Sequence, residues 1–151
     1  MVDWTLRRAE IDDADGLARC LDAAFASYRE RIADLPPMSE NCAEEIAEHL
    51  VWVAEAGGRI VGGLVLVPDE SFMLLANVAV HPDLRGKGLG RRLLTLAETE
   101  AEDRGYAELR LTTHADMPET VQLYARNGWL QTGRQGNKIR MRKALAGRRA
   151  L

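Results

Sequence analysis

The chain has 151 residues, enough for one domain with its own core. Hydrophobic residues at 46% and charged residues at 28% exclude the disordered and fibrous classes. A net charge of −3 gives no general attraction to nucleic acid, and no apolar run approaches the ~20 residues a membrane-spanning helix needs.

In chain order, Trp4 to Arg8 reads as a short strand, and Asp12 or Asp13 as the cap of the helix that follows. Ala14, Leu17, Ala18, Leu21 and Phe25 recur at helical spacing. Arg29 to Glu40 is irregular and contains Pro36-Pro37, which cannot continue a helix. Asn41 with Glu44 three residues on predicts a capping pair, and Ala43, Ile46, Ala47 and Leu50 a second helix face. Val51 to Glu55 and Ile60 to Val67 are strands around the turn Ala56-Gly57-Gly58-Arg59. Phe72 to Val80 is a third strand. Leu89 to Arg104 is a helix stopped by Gly105, with Leu93, Leu94, Ala97 and Ala101 on one side. Glu108 to Thr112 is a strand, Pro118 to Asn127 a short helix closed at Gly128. Trp129 to Thr132 and Lys138 to Arg142 form a hairpin around Gly133 to Asn137, and Ala146 to Leu151 is a frayed tail. The order predicts an α+β fold in one domain, residues 1–151, with a single parallel crossover between Phe72–Val80 and Glu108–Thr112.

Cys20 and Cys42 are the only cysteines. Neither has a metal-ligand spacing, so no metal is expected, and Cys20 reads as a small core residue. Met1-Val2-Asp3-Trp4 lacks the layout of a secretion signal, so a cytoplasmic location is expected.

The chemistry concentrates at Arg85-Gly86-Lys87-Gly88-Leu89-Gly90, between a strand and a helix N-terminus. Glycine lets an anion approach the backbone, the first helical turn offers free N–H groups, and the helix dipole favours negative charge there. Arg85, Lys87, Arg91 and Arg92 add cationic donors. A phosphate-binding turn follows. The spacing does not supply the Walker A pattern, and its G-x-G-x-G glycines differ from the Rossmann G-x-G-x-x-G.

The segment from Val78 through His81-Pro82 to Gly90 closely resembles the acyl-CoA signature of the GNAT acetyltransferase superfamily, [Q/R]-x-x-G-x-[G/A], at Arg85, Gly88 and Gly90. Leu123-Tyr124-Ala125-Arg126-Asn127-Gly128-Trp129 resembles a second family block, L-Y-x-x-x-G-[FW]. The resemblance is specific from Phe72 to Leu130. It implies a mixed, mostly antiparallel sheet flanked by helices, with a splayed parallel strand pair that receives acetyl-CoA as co-substrate. Val78, Ala79 and Val80 would meet the pantetheine arm, and the backbone of Arg85, Gly86, Lys87, Gly88, Leu89, Gly90 and Arg91 the pyrophosphate, with the Arg85 side chain beside it.

The resemblance further implies direct acetyl transfer to a primary amine. Tyr124 occupies the position of the tyrosine that protonates the departing thiolate. Glu70 is the leading carboxylate for deprotonating the amine, with His114 and Asp116 as alternatives and a water chain as another. Asn77, in the strand, cannot act as a base, and His81 reads as shaping the strand exit. Met117 departs from the asparagine that many members carry seven residues before the tyrosine, and Thr113 is a candidate replacement. Acceptor specificity would lie in Phe25 to Asn41, with Tyr28, Glu30, Asp34 and Glu40, and in Gly133 to Asn137, with Arg134 and Lys138 close by. The acidic and basic signals conflict, so the amine stays unnamed, with a small molecule favoured over a protein N-terminus or lysine. Two other readings stand beside the enzyme: a non-catalytic acyl-CoA-binding module, and a protein that binds another nucleotide. A homodimer is left open.

Overall fold

A computed structural model describes residues 3–32 and 39–145. The strands are β1 (Thr5–Arg8), β2 (Leu50–Ala56), β3 (Arg59–Pro68), β4 (Met73–Val80), β5 (Glu108–His114), β6 (Leu130–Gln135) and β7 (Lys138–Ala144). The helices are α1 (Ala14–Arg31), α2 (Cys42–Glu48), α3 (Leu89–Asp103) and α4 (Pro118–Arg126). The strands follow the order β1-β2-β3-β4-β5-β7-β6. The β4–β5 pair is parallel, while β1–β2, β2–β3, β5–β7 and β6–β7 are antiparallel, which is the mixed, mostly antiparallel sheet expected. The chain divides into two compact units, Met1–Leu66 with Asn77–Leu94, and Val67–Ala76 with Thr95–Leu151. Each contains part of β4 and part of α3. The expected tail from Ala146 to Leu151, and Asp34 and Pro36-Pro37, lie outside the described residues.

In the first unit, α1 buries Leu17, Cys20, Leu21, Ala24 and Phe25, the three-and-four spacing of one helix face. Leu17, Leu21 and Phe25 are as expected, whereas Ala14 and Ala18 are half-buried and Cys20 and Ala24 take the inner positions. The helix runs through Arg29 to Arg31, where an irregular segment is expected from the sequence. Arg31 stacks over the Tyr28 ring at 5.0 Å, and Arg29 lies 3.7 Å from Asp22, contacts that support the last turn. Asp13 sits at the N-cap of α1 but does not cap it; its side chain accepts from the Glu10 N–H at 2.7 Å and closes the capping box of the preceding 3-10 turn, Ile11–Asp13. The Arg7 guanidinium grips both its oxygens at 2.8 and 2.9 Å and reaches Glu55 at 3.0 Å, tying β1 to the helix start and to β2. This pairing, chiefly the hydrogen bond from Arg7, holds the Asp13 carboxyl below the usual carboxylate range.

The expected Asn41–Glu44 capping pair is not formed. Asn41 adopts a left-handed conformation (φ 67°), its side chain makes no cap bond, and its carbonyl accepts from Glu45 N–H instead. Cys42 is the buried residue of α2, and Ala43 and Ala47, expected inward, are exposed.

Gly62 and Gly63 in β3 set how closely helices approach the sheet. A Cβ on Gly63 would lie 2.6 Å from Leu17 Cδ1 of α1, and one on Gly62 would lie 3.1 Å from Leu89 Cδ2 of α3 and 3.2 Å from Ala79 O of β4. Successive strand residues point to opposite faces, so α1 and the first turn of α3 pack against opposite faces of β3. The second helix start is the one that follows the glycine turn, and Gly62 lets it sit down on the strand.

In the second unit, β5 and β7 pair from Glu108↔Ala144 to His114↔Lys138. Strand β6 reaches Gln135, with a register shift between Gln131 and Gly133, so the expected five-residue loop Gly133–Asn137 is a tight turn at Gly136-Asn137. Lys143 of β7 donates to Glu98 of α3 at 3.0 Å and to the Asn127 carbonyl after α4, joining three elements. Tyr106 donates to the Asp69 carbonyl at 2.7 Å, which anchors the bend before β4.

The approach at Gly63 yields a direct test. Gly63→Ala inserts a methyl against a Leu17 side chain that is 1% exposed. A loss of about 1–3 kcal/mol, seen as a fall of several degrees in Tm, is expected by thermal denaturation. An unchanged Tm would mean that α1 stands further from β3 than described.

Candidate functional site

The glycine turn lies in the first unit. The strand exit is fixed first: His81 N–H donates to the Val61 carbonyl at 2.8 Å, and His81 Nδ1 accepts from Asp83 N–H at 3.1 Å, capping a short 3-10 turn at Pro82–Leu84. His81 thus shapes the exit, as its position predicts. Leu84 and Leu89 are buried on either side of the turn and pin its ends, at 3% and 0% exposure. Between them Gly86 and Gly88 have φ of +76° and +87°, a region where a side chain is strained. A Cβ on either would meet nothing within 4 Å, so the space over the turn is open to a ligand.

The first N–H groups of α3 have no partner within the helix and face this space with the positive end of its dipole. Lys87, Arg91 and Arg92 are exposed and, among the described residues, carry no ion pair. Arg85 behaves differently. Its guanidinium donates to the Ala24 carbonyl of α1 at 2.8 Å, so in this structure it braces the turn against α1. A pyrophosphate fits this cradle: backbone donors approach without obstruction, and three unpaired cations flank them. That bracing role of Arg85 and the close approach at Gly62 were not legible in the motif. The paired glycines inside an apolar strand were the one available signal.

Strand β4 carries Met73, Leu75 and Ala79 inward, with Val78 and Val80 half-buried. Its parallel register with β5 runs Met73↔Leu109 and Leu74↔Arg110 and ends there, although β4 continues to Val80. Within the second unit no ladder to β5 is formed at Leu75 or Ala76, so backbone groups on that edge are left for another partner.

Tyr124 lies in the second unit, on α4. It is 5% exposed and its ring packs 5.5 Å from that of Trp129. The Tyr124 carbonyl accepts from the N–H groups of Asn127 and Trp129, and the Asn127 side chain donates to the Leu123 carbonyl at 2.7 Å. A Cβ on Gly128 would lie 3.3 Å from Lys143, so the glycine makes room for that lysine. The Leu123–Trp129 block is therefore a self-locking helix end that fixes the tyrosine. Burial pushes the Tyr124 hydroxyl up, so it keeps its proton across the neutral range. Trp129 Nε1 is buried with no hydrogen-bond partner.

The other expected residues fall as follows. Glu70 is exposed in the bend before β4, its N–H held by Asp69 Oδ1 at 2.7 Å. His114, expected after β5, is its last residue and is buried. Its Nδ1 accepts from Asp116 N–H at 3.0 Å, which commits that nitrogen, and Asp116 is exposed. Met117 is buried at 4% exposure and cannot donate as an asparagine would. Thr113 faces inward in alternation with Leu109 and Leu111. Cys20 is buried, its thiol pushed up to about 11 by desolvation, so it is a packing residue and no nucleophile. Among the described residues no three His, Cys, Asp or Glu side chains group around a metal position, and no helix is long and apolar enough to cross a membrane.

The burial of Tyr124 has a spectroscopic consequence. Tyr124→Phe should leave the alkaline rise in phenolate absorbance unchanged up to about pH 10.5, because this hydroxyl contributes nothing in that window. A loss of absorbance between pH 9 and 10.5 in the variant, roughly the ordinary phenol range, would show Tyr124 to be solvated.

A sequence profile described as "Acetyltransferase (GNAT) family" matches residues 17–129, which draw on both units. The chain is 26% identical over 134 residues to the uncharacterized N-acetyltransferase YjgM of Escherichia coli, covering 82% of this chain and 80% of that protein. It is 33% identical over 151 residues to the mycothiol acetyltransferase of Nocardia farcinica, covering 96% of this chain and 45% of the relative. The chain thus spans less than half the length of that relative. In fold it resembles the PaiA N-acetyltransferase from Thermoplasma acidophilum crystallised with coenzyme A, with a TM-score of 0.82, 22% identity, and 94% of this chain and 99% of that one covered. The ribosomal-protein-S18-alanine N-acetyltransferase from Escherichia coli gives a TM-score of 0.79, 21% identity, and coverage of 98% and 97%. The turn between β4 and α3, the helix end around Tyr124 and the profile match across residues 17–129 together place this chain in the acetyltransferase (GNAT) family.

Proposed function

We propose that this chain is an acetyl-CoA-dependent N-acetyltransferase that passes the acetyl group directly from the thioester to a primary amine on a small molecule. One observation carries the reading. A strand edge without a ladder from Leu75 runs into a turn with two positive-φ glycines and open space above them, at a helix N-terminus. A linear ligand with a hydrogen-bonding arm and a pyrophosphate matches that order of backbone groups. Grooves of about 560 and 570 Å³, one in each unit, are of small-molecule size and favour a small acceptor. We extend the proposal to the two units acting as one acetyltransferase domain.

The reaction asks for positioning, a polarised carbonyl and two proton movements. Backbone N–H groups near Val78 are assigned to the thioester oxygen, and the turn from Arg85 to Arg91 to the pyrophosphate. The neutral amine attacks the carbonyl carbon, the C–N bond forms and the C–S bond breaks. The Tyr124 hydroxyl, kept protonated by burial, gives its proton to the leaving thiolate and is reprotonated from solvent. Glu70, exposed at the start of β4, is assigned to take the proton released by the amine, by way of water.

Two measurements test these assignments. Acetyl-CoA at ~100 times its Kd should stabilise the protein by about 2.7 kcal/mol, a rise in Tm of several degrees, and NAD and ATP should not. Gly88→Ala should abolish most of that rise. With an amine that releases CoA, Tyr124→Phe should lower kcat about a hundredfold at unchanged acetyl-CoA stabilisation. Unchanged turnover would end the acid role of the tyrosine. Separately, Glu70→Gln should lower kcat at unchanged acetyl-CoA stabilisation, and unchanged turnover would transfer the base role to another group or to water.

A further inference from the structure

We infer that the groove over the outer face of β5 and β7 binds an oxyanion, carboxylate or phosphate, carried by the acceptor amine. The inference rests on the transferase reading above. The groove, of about 560 Å³, lies in the second unit and is lined by Phe72, Leu74, Glu108, Arg110, Arg140 and Arg142 among others.

The arginines are brought together by register. Arg110 and Arg142 are direct cross-strand partners, and Arg140 stands beside them opposite Thr112. Like charges placed directly opposite one another destabilise a sheet. A chain of net charge −3 has placed three guanidiniums on one small sheet face against a single carboxylate, Glu108. Folding alone gives no reason for this, whereas an incoming anion does.

The cluster is also held ready. Glu108 accepts from Arg110 Nε at 2.7 Å and lies 3.6 Å from Arg142 Nε, so one carboxylate fixes two guanidiniums. Arg110 is fixed from another side by the Phe72 ring, 4.2 Å from its guanidinium carbon. Arg140 lies against Gly133 of β6, where a Cβ would come 3.4 Å from its Nε, and its guanidinium has no acidic partner among the described residues. Forked guanidinium donors with spare N–H groups suit carboxylate and phosphate alike.

The groove also begins where the donor strand becomes free. Leu74 and Arg110 are the last laddered pair of β4 and β5, and both line it. The groove of similar size in the first unit is different in kind. There Arg7 is held by Asp13 and Glu55 and Arg59 by Asp83, and Arg19 shares the lining with Asp12 and Asp15, so carboxylates match or outnumber the arginines. A second copy of the chain is a poor occupant of the arginine groove, because it would bring the same cationic surface against it.

The test measures CoA release from acetyl-CoA with glutamate, O-phosphoserine, glutamine and putrescine as amines. Wild type should favour glutamate or O-phosphoserine, the two arms separating carboxylate from phosphate. Arg140→Glu should raise KM for the preferred anionic amine about tenfold or more, leave KM for acetyl-CoA unchanged, and shift preference toward putrescine. Arg140→Gln, at an exposed position, should give a smaller loss with an unchanged Tm, which separates binding from folding. Unaltered acceptor preference in both variants overturns the inference. So does a change in sedimented mass in Arg140→Glu without a change in preference, since the face would then be a subunit contact. If no amine supports turnover, the transferase reading fails on its own. The groove is then tested by calorimetric titration of intact protein with glutamate and O-phosphoserine. Salt-sensitive binding lost in Arg140→Glu sustains the groove, and no binding to wild type overturns it.

Discussion

The structure depends on a parallel ladder that stops after two residue pairs. Backbone N–H and C=O groups of a strand need partners, and a strand that loses its neighbour midway must find them in solvent or in a ligand. Strand β4 makes parallel pairs with β5 at Met73 and Leu74, and within the same unit none at Leu75 or Ala76. The glycine turn follows directly on that freed edge, and α3 starts directly on the turn. Backbone hydrogen-bonding capacity, normally spent inside the sheet, is thus concentrated along one line of chain. Side chains mainly keep that line in place. Gly62 lets Leu89 settle on β3, His81 caps the exit, and Arg85 ties the turn to the Ala24 carbonyl of α1.

What the sequence disclosed follows from the range of the forces involved. Strand alternation, helix periodicity and the turn glycines are local patterns, and the elements they predict are the ones found. The misreadings have local causes too. Asn41 and Glu44 matched a cap pattern, but Asn41 took a left-handed conformation and used its carbonyl, which no spacing rule detects. The β6–β7 loop read as five residues because Gly133 looked like a loop residue. A register shift at Thr132 absorbs the irregularity inside the strand instead. Arg85 is a different case: its motif position places it beside the ligand, and its guanidinium also reaches a carbonyl 61 positions away in sequence, a contact that no local pattern announces.

The features that escaped entirely are those that register creates. Arg110, Arg140 and Arg142 look like ordinary exposed residues of alternating strands. They become a cluster when β5 pairs with β7 and sets Arg110 opposite Arg142. Gly62 and Gly63 likewise look like weak points in an apolar strand until helices are laid on both its faces. Pairings over tens of residues carry this information, and a single sequence does not display them.

On the functions proposed above, donor and acceptor recognition rest on different chemistry. The donor side is built from backbone geometry: positive-φ glycines, helix N–H groups and an unladdered strand edge. Substitutions elsewhere on the surface leave such a site intact, so many sequences can share it, in keeping with solved structures of the same fold at 21 and 22% identity. The arginine face of β5 and β7 is made of side chains on a rigid ladder. Each one can change without disturbing the strand beneath, because the sheet hydrogen bonds do not involve them. Glu108 shows that such a face needs internal restraint: without its carboxylate, Arg110 and Arg142 would repel one another across the ladder. Its carboxyl is held below the usual carboxylate range, chiefly by the hydrogen bond from Arg110, so it stays charged throughout the range in which an amine can be acetylated. The restraint on the arginines then persists at every pH where the reaction could proceed, and the cationic character of the groove varies only with what enters it.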